Sequence, residues 1–446
     1  MSDERETIAQ GGRALERSLG VYISVPFCRA KCSYCNFASR VFGAGASGAG
    51  ARADGARESD RMERYVERVC AEIGSARERA AELRAELPGR VDTVYFGGGT
   101  PSLLSAEQVR RLFAALRGEF EVTADAEITL ECAPGQLGDA TLEELLRLGM
   151  NRVSFGVQSF VDKEARAVGR LHTREICLGE LARMRAAGVG EINVDLIVGL
   201  PRQTAASWRE SVDVALRSGV PHVSVYMLEV DEDSRLGREM LKAGNREQGT
   251  GNREQGTGIR LKYGADDVPG DDAIAEWYAA ACEGLEADGV MQYEISNFAR
   301  EGHASRHNMK YWRREPYVGF GLDAHSMLRA CSHGLKAGEG AVRWGNTDQL
   351  DRYEVQGSRF EVGSPEVERI GAKRGFEEAM FLGLRMNVGV DLEALRAEFG
   401  EGLVQAAVSA LSDVEEAGLV EREGGWVRLT ARGRMASNEV FSRLLL

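Results

Sequence analysis

The hydrophobic pattern of the chain alternates between short runs of β-branched and aromatic residues and longer stretches with helical spacing. Six such runs lie in the first 230 residues: VYISV (21–25), VDTVYF (91–96), AEITLE (126–131), RVSFGV (152–157), EINVDLIV (191–198) and HVSVYMLEV (222–230). Strands that alternate with helices in this way pair in parallel, with right-handed crossovers. The pattern therefore predicts an α/β fold.

Six strand–helix units are too few to close an eightfold barrel, so we expect an open, partial (β/α)6 barrel over residues 20–240. Ligands of such a sheet bind at the C-terminal ends of its strands. Capping boxes at Ser105 with Gln108 and at Thr141 with Glu144 predict two of the helix starts. We expect residues 1–19 to form an N-terminal tail.

Two segments have the composition of insertions. Residues 41–60 are rich in Gly and Ala without apolar periodicity, which predicts a flexible loop. The polar heptad GNREQGT occurs twice in tandem over 244–257, and two copies are too few for a solenoid. We therefore expect a disordered insertion over 241–272. The strand–helix rhythm changes after it, which predicts a second, α+β domain over 273–446.

The charge and the hydropathy of the chain exclude several classes of protein. The 56 Lys and Arg residues against 69 Asp and Glu give a net charge of −13, so we expect no nucleic-acid partner. The sequence contains no apolar run long enough to span a membrane and no signal-peptide core, which predicts a cytoplasmic protein. Thiols stay reduced there, so the eight cysteines are expected to be ligands or buried residues.

Three of these cysteines lie together in VPFCRAKCSYCNF (25–37), where Cys28, Cys32 and Cys35 follow the first predicted strand. A structural zinc site needs four ligands, and no fourth Cys or His lies nearby. Three thiolates on a four-iron cluster leave one iron open, so we favour an iron–sulfur cluster over zinc. The other five are expected to be small buried hydrophobes: Cys70, Cys132, Cys177, Cys282 and Cys331.

The C-x3-C-x2-C spacing, with the aromatic Tyr34 before the last cysteine, resembles the signature of the radical S-adenosylmethionine (SAM) superfamily. The resemblance implies a [4Fe-4S] cluster whose open iron is chelated by the amino and carboxylate groups of SAM. An electron from the reduced cluster then cleaves the sulfonium to methionine and a 5′-deoxyadenosyl radical. SAM itself would therefore supply the fourth ligand.

The ends of the other strands carry residues suited to a SAM pocket. The glycines of GGGTPS (97–102) let the backbone approach a ligand, Glu131 offers oxygens to ribose hydroxyls, and Arg170 offers a clamp for a carboxylate. Each of these features alone is also typical of an ordinary turn or a structural polar residue. The resemblance implies eight SAM-contacting positions: Tyr22, Gly98, Gly99, Thr100, Glu131, Gln158, Arg170 and Asp195.

Further motifs narrow the resemblance to the oxygen-independent coproporphyrinogen III oxidase-like group. They include YFGGGTPSLL, LECAPG, RVSFGVQSF, NVDLIVGLPRQT and RHNMKYW, and the resemblance covers about residues 20–235 and 275–445. The coproporphyrinogen dehydrogenases carry a fourth cysteine directly after the triplet and an N-terminal extension. Here Asn36 and Phe37 follow Cys35, and only twenty residues precede Val21. Both departures favour the haem-chaperone branch, which binds haem and passes it to respiratory haem proteins, over oxidative decarboxylation of coproporphyrinogen III.

The segment HNMKYW (307–312) is the candidate haem site. The His307 imidazole is a natural ligand for haem iron, and Tyr311 and Trp312 could pack on a porphyrin face. The alternative is a turn followed by aromatic residues of the core, and His303 and His325 are weaker candidate ligands. His172, in GRLH, matches the family pattern near SAM without a role of its own. The sequence leaves a homodimer and a peripheral membrane contact open.

Overall fold

A computed structural model describes residues 18–42, 51–247, 263, 267–331, 339–356 and 367–445. The strands are β1 (Leu19–Val25), β2 (Phe27–Cys28), β3 (Arg40–Val41), β4 (Ala85–Glu86), β5 (Arg90–Gly98), β6 (Glu121–Cys132), β7 (Arg152–Gln158), β8 (Glu191–Val198), β9 (His222–Met227), β10 (Met291–Glu294), β11 (Asn297–Ala299), β12 (Tyr317–Phe320), β13 (His325–Ala330), β14 (Glu339–Gly345), β15 (Val367–Gly371), β16 (Val390–Asp391), β17 (Val420–Glu423) and β18 (Trp426–Leu429).

The helices of the first half are α1 (Ala51–Gly74), α2 (Ala76–Glu82), α3 (Ala106–Glu119), α4 (Asp139–Arg147), α5 (Asp162–Ala167), α6 (Arg174–Ala186) and α7 (Ala205–Ser218), with a 3-10 turn at Pro101–Leu103. Those of the second half are α8 (Arg235–Glu247), α9 (Asp271–Ala287), α10 (Arg306–Trp312), α11 (Leu350–Gln356), α12 (Ala372–Gly383), α13 (Leu392–Phe399), α14 (Glu401–Ala410), α15 (Ser412–Glu416), α16 (Ala431–Met435) and α17 (Ser437–Ser442).

The six predicted strands are all present, and they form the centre of one large sheet. They lie in the order β9-β8-β7-β6-β5-β1, each parallel to its neighbours. Their apolar side chains form the main core together with the helices that cover the sheet. Within the described residues β1 and β9 do not pair with each other, so the sheet is open. The predicted α/β fold with a partial barrel is confirmed.

Later strands extend this sheet at both edges. Strand β12 pairs in parallel with β1, followed by β13, β14 and β15, while β11 and β10 lie beyond β9. The predicted domain boundary at residue 273 is therefore not a boundary in the sheet. A second sizeable core lies over residues 376–444, where α12 to α17 pack on the small sheet of β16, β17 and β18. Periodicity identifies strands but does not indicate which sheet a strand joins.

The loop prediction for residues 41–60 is wrong over 51–60, because α1 begins at Ala51. Three Ala and two Arg residues lie in this part of the segment, and their high helix propensity outweighs the missing apolar periodicity. Residues 43–50 lie outside the described residues, as do residues 1–17 of the predicted tail.

The prediction of disorder over 241–272 is wrong at both ends. Helix α8 continues to Glu247, and α9 begins at Asp271. Between them, Tyr263 is buried, and its hydroxyl donates to Ser33 Oγ over 3.1 Å. Most of the tandem heptad, residues 248–257, lies outside the described residues.

One of the two predicted helix starts is confirmed. Ser105 caps α3: its hydroxyl accepts from the backbone N–H of Gln108 at 3.3 Å, and the Gln108 side chain accepts from the N–H of Ser105 at 2.9 Å. Thr141 is not a cap, because α4 begins two residues earlier and the Thr141 hydroxyl donates to the carbonyl of Leu104. Of the helices in the described ranges, none is long and apolar enough to cross a membrane.

Candidate functional site at the carboxyl ends of the strands

The three clustered cysteines follow β1, as the sequence predicts: Cys28 ends the short strand β2, and Cys32 and Cys35 lie on the loop after it, so we call residues 28–35 the cysteine loop. Backbone hydrogen bonds hold this loop: Ser33 N donates to Val168 O at 3.0 Å, and Leu236 N donates to Ser33 O at 2.7 Å. Burial raises the pKa of both Cys28 and Cys35, and the neighbouring thiols add to this rise. The thiols of Cys28, Cys32 and Cys35 are therefore close enough to interact electrostatically.

The arrangement of these thiols fits a multi-iron cluster. All eight cysteines of the chain are free thiols. Among the residues that the structure describes, no three His, Cys, Asp or Glu side chains converge closely enough to hold one metal ion. In a four-iron cluster each thiolate binds a different iron, so the ligands need not converge on a single point. Of the other cysteines, Cys132 and Cys177 are buried as expected, whereas Cys70, Cys282 and Cys331 are only partly buried.

Arg170 joins the cysteine loop to the sheet. One of its terminal nitrogens donates to Cys32 Sγ at 3.5 Å, and the other donates to the carbonyl of Gly156. Burial alone would lower the pKa of Arg170, but the neighbouring Cys32 side chain raises it, so the guanidinium stays charged. Its Nε is buried and has no hydrogen-bond partner in the described part of the chain. A buried cation with an unused donor fits an anionic ligand group beside Cys32.

The glycines at the end of β5 allow close contact between two chain segments. Gly98 has φ +101°, which favours glycine, and a Cβ on Gly99 would lie 2.7–2.9 Å from backbone atoms of Val25 and Phe27. Thr100 is buried next to them, and a hydrogen bond from its hydroxyl lowers the pKa of Cys28 against the effect of burial. The glycine turn therefore lies directly against the cysteine loop.

Glu131 provides a buried carboxyl group at the end of β6. It accepts from the Tyr95 hydroxyl at 2.9 Å and from the backbone N–H of Gly98 at 3.2 Å. Burial raises the pKa of Glu131 to about 7, although the Tyr95 hydrogen bond lowers it. The ring of Tyr22 stacks on that of Tyr95, with centroids 6.0 Å apart. Near neutral pH this carboxyl group is only partly ionised.

Asp195 on β8 and Gln158 on β7 are the remaining predicted residues at this edge of the sheet. The Asp195 carboxylate accepts from Asn193 Nδ2 at 2.7 Å and from Ser154 Oγ at 3.1 Å, and burial raises its pKa. Gln158 has φ +67° at an irregularity in the pairing of β7 with β8, and its amide lies beside Gly156. The structure thus brings the eight predicted SAM-contacting residues to one edge of the sheet, together with the cysteine loop.

His172 has a local structural contact. Its Nε2 donates to the carbonyl of Val157 at 3.1 Å, and burial lowers its pKa to about 4. The neutral ring therefore ties the segment after Arg170 to strand β7.

The predicted haem residues are not brought to a common exposed surface. His307 is 1 % exposed, and its two ring nitrogens are hydrogen-bonded to Thr93 Oγ1 and Tyr311 OH, both at 2.9 Å. Burial lowers the pKa of His307 to about 3, and its ring stacks under Tyr95. Trp312 packs under the guanidinium of Arg385. In this conformation His307 presents no free ring nitrogen.

The weaker candidate ligands lie elsewhere. His303 is hydrogen-bonded to Glu191 at 2.8 Å, whereas His325 is exposed on β13, 3.9 Å from Asp323.

Sequence reasoning missed Tyr95 and Asn193, which contact Glu131 and Asp195 respectively. A signal existed for Asn193, because residues two apart on a strand face the same side of the sheet.

The comparisons with known proteins agree with this geometry. Residues 22–215 match the family model of the radical SAM superfamily, and residues 375–436 match that of the HemN C-terminal domain. The heme chaperone HemW of Bacillus subtilis is 30% identical over 425 residues, which cover 95% of this chain and 98% of that protein. The chain belongs to the HemW family of radical SAM proteins.

The chain is also similar to a mitochondrial protein and to a radical SAM enzyme of known structure. The mitochondrial radical S-adenosyl methionine domain-containing protein 1 of Mus musculus is 31% identical over 83% of this chain and 74% of its own length. Coproporphyrinogen III oxidase (HemN) of Escherichia coli, a radical SAM enzyme, has the same fold, with a TM-score of 0.73, 21% identity and coverage of 99% of this chain and 93% of that chain. Membership of the radical SAM superfamily implies a [4Fe-4S] cluster and SAM, and the family match predicted from the sequence is confirmed.

Proposed function

We propose that this protein is a haem chaperone that holds a [4Fe-4S] cluster and SAM and delivers haem to respiratory haem proteins. The observation that carries the proposal is the convergence of a three-cysteine loop, a glycine turn and a buried charged pocket on one edge of the sheet. The relatives named heme chaperone HemW support the haem part of the proposal.

Different residues of the site would bind the [4Fe-4S] cluster and SAM. The thiolates of Cys28, Cys32 and Cys35 would hold the cluster, and the Arg170 guanidinium would bind the carboxylate of SAM. Glu131 would accept hydrogen bonds from the ribose hydroxyls, and the turn at Gly98 lets the backbone approach the ligand. When bound, the reduced cluster supplies the electron that cleaves the sulfonium of SAM.

The residues after Cys35 favour the chaperone over the coproporphyrinogen dehydrogenase. The Asn36 side chain donates to Asp231 Oδ2 at 2.6 Å, so an anchored amide follows the triplet. Phe37 comes next and is 60% exposed. Neither residue provides the additional thiol of the dehydrogenases. The dehydrogenase activity remains the second candidate, and it is supported by the likeness of the fold.

His307 remains our proposed haem ligand, with Tyr311 and Trp312 beside it. Ligation would require the His307 Nε2 to exchange its hydrogen bond with the Tyr311 hydroxyl for the iron. The neutral imidazole that ligation needs is already favoured, because burial lowers the pKa of His307.

Anaerobic reconstitution, followed by haem titration and a porphyrinogen assay, tests the function. We expect a brown protein that binds SAM and haem and leaves coproporphyrinogen III unchanged. In His307→Ala the Soret band should weaken or shift, whereas His325→Ala, at the exposed and weaker candidate ligand, should leave the band unchanged. Protoporphyrinogen formed with consumption of SAM and release of carbon dioxide would instead establish the dehydrogenase. A Soret band that His307→Ala leaves unchanged would keep the chaperone but move its haem ligand.

A further inference from the structure

A buried row of polar side chains lies behind Asp195, on the same face of the sheet. Ser154 on β7, Asn193 and Asp195 on β8, and His222 and Ser224 on β9 occupy paired positions in the parallel register. All except Asp195 are at most 6% exposed. Such a row is unusual inside a sheet, because an unpaired buried polar group is costly.

Hydrogen bonds connect the row without a gap. The amide nitrogen of Asn193 donates to Asp195 Oδ1 at 2.7 Å and lies 2.8 Å from Ser154 Oγ. The amide oxygen of Asn193 lies 2.6 Å from Nδ1 of His222. The other ring nitrogen, Nε2, lies 2.8 Å from the hydroxyl of Tyr293 on β10.

The chemistry of the partners fixes the direction of each bond. Because the Asn193 nitrogen faces a carboxylate, the Asn193 oxygen must be an acceptor, so His222 Nδ1 carries the hydrogen. Burial lowers the pKa of His222 well below its usual value, with a smaller contribution from Arg152. The neutral ring therefore accepts at Nε2 from the Tyr293 hydroxyl, whose oxygen accepts from the N–H of Ser305 at 3.2 Å.

This order defines the orientation of the Asn193 amide. If the amide turned over, its oxygen would face the Asp195 carboxylate, and two acceptors would oppose each other. The His222 N–H opposes that rotation, because it needs the oxygen where it now stands. His222 thus acts on Asp195 indirectly, through the side chain of Asn193.

We propose that His222 is a positioning residue that orients the Asn193 amide and, through it, the Asp195 carboxylate for binding SAM. The inference rests on the proposed function and on the SAM contact predicted for Asp195 from the sequence. Within the described residues, the ring of His222 is hydrogen-bonded to Asn193 and Tyr293 and not to Asp195 or the cysteine loop.

Substitutions at His222 provide the test, with SAM affinity measured on protein reconstituted to equal iron content. His222→Leu removes both hydrogen-bonding groups and should weaken SAM binding about tenfold, as expected when a buried partner is lost. His222→Gln keeps one donor and one acceptor and should recover most of the affinity. Tyr293→Phe removes only the hydroxyl that donates to His222 Nε2. It should weaken SAM binding less, by about threefold.

Tyr278→Phe is the matched control. Tyr278 is also buried, but its hydroxyl donates to the carbonyl of Ile295 outside the row, so its loss should leave SAM affinity unchanged.

The outcomes separate this inference from the proposed function. Wild-type protein that carries the cluster but binds no SAM would disprove the proposed function. SAM binding that weakens in Asp195→Asn but not in His222→Leu would overturn the role of His222 alone. Parallel loss of iron and SAM in His222→Leu would make His222 a structural residue and would also overturn it. If the leucine variant does not fold, Tyr293→Phe decides, and an unchanged SAM affinity there counts against the proposal.

Discussion

The ionisation of Glu131 should make SAM binding depend on pH. Its carboxyl group is buried between the Tyr95 hydroxyl and the Gly98 N–H, and burial raises its pKa from 4.5 to about 7. Glu131→Gln is the informative perturbation, because the side chain keeps its shape but cannot ionise. The ionised carboxylate is the stronger acceptor for ribose hydroxyls. Affinity should therefore be lost as the pH falls through about 7.

The expected magnitude follows from the pKa. With a pKa of about 7, roughly a tenth of Glu131 is ionised at pH 6 and roughly nine tenths at pH 8. If the carboxylate is the binding form, the affinity for SAM should rise about tenfold over this range. The α-amino group of SAM titrates in the same region, at about pH 8, and must lose its proton to bind iron. The titration of the SAM amino group affects wild type and Glu131→Gln equally. The ratio of the SAM affinity of wild type to that of Glu131→Gln therefore reports the ionisation of Glu131 alone.

Equilibrium dialysis with labelled SAM at pH 6, 7 and 8 measures this ratio on anaerobically reconstituted protein. The wild-type advantage over Glu131→Gln should grow with pH. The free energy of unfolding of the protein without SAM should show the opposite trend. Because the pKa of Glu131 is raised in the folded state, its carboxyl group stabilises the fold most below about pH 4.5, and this contribution is lost as the pH rises to about 7. A ratio that stays constant across the three pH values would refute the reasoning.

Three further predictions concern the cluster, the glycine turn and the tandem heptad. Cys32→Ala should abolish the brown absorbance and the bound iron, whereas Cys70→Ala should keep both; iron and sulfide retained in the first variant would contradict the assignment. Gly99→Ala places a Cβ against backbone atoms and should cost about 1–3 kcal/mol in a thermal melt, whereas Gly118→Ala, in helix α3 with nothing within 4 Å of its Cβ, should not lower the melting temperature and should raise it slightly, because Ala favours a helix. Deletion of residues 248–257 should preserve the cooperative melt and the cluster, because this polar segment has little apolar surface to bury; loss of the cooperative transition would show the segment to be structural.

Much of the sheet and of the site edge could be predicted, because both depend on local patterns. Short β-branched runs mark strands, and parallel strands necessarily bring their carboxyl ends to one edge. Cys32, Glu131 and Asp195, which are far apart in the sequence, therefore meet where the pattern places them.

The features that escaped prediction depend on contacts distant in sequence. Thr141 follows the local rule for a cap, but its hydroxyl finds a partner in Leu104 on another segment. His307 has the chemistry of a metal ligand, yet Thr93 from β5 and Tyr311 occupy both of its ring nitrogens. A motif identifies the chemistry of a side chain, whereas its partners are known only once the chain is folded.

The pairing of β12 with β1 has a consequence for how the protein folds during its synthesis. Gly20 pairs with Tyr317, so one side of the first strand lacks its partner until about 300 further residues have left the ribosome. At about 5–20 residues per second this delay is about 15–60 seconds. During that time the strand that leads into the cysteine loop offers an open edge to other nascent chains, as uncovered strands do. Protection of this edge by chaperones during translation would then be part of how this protein matures.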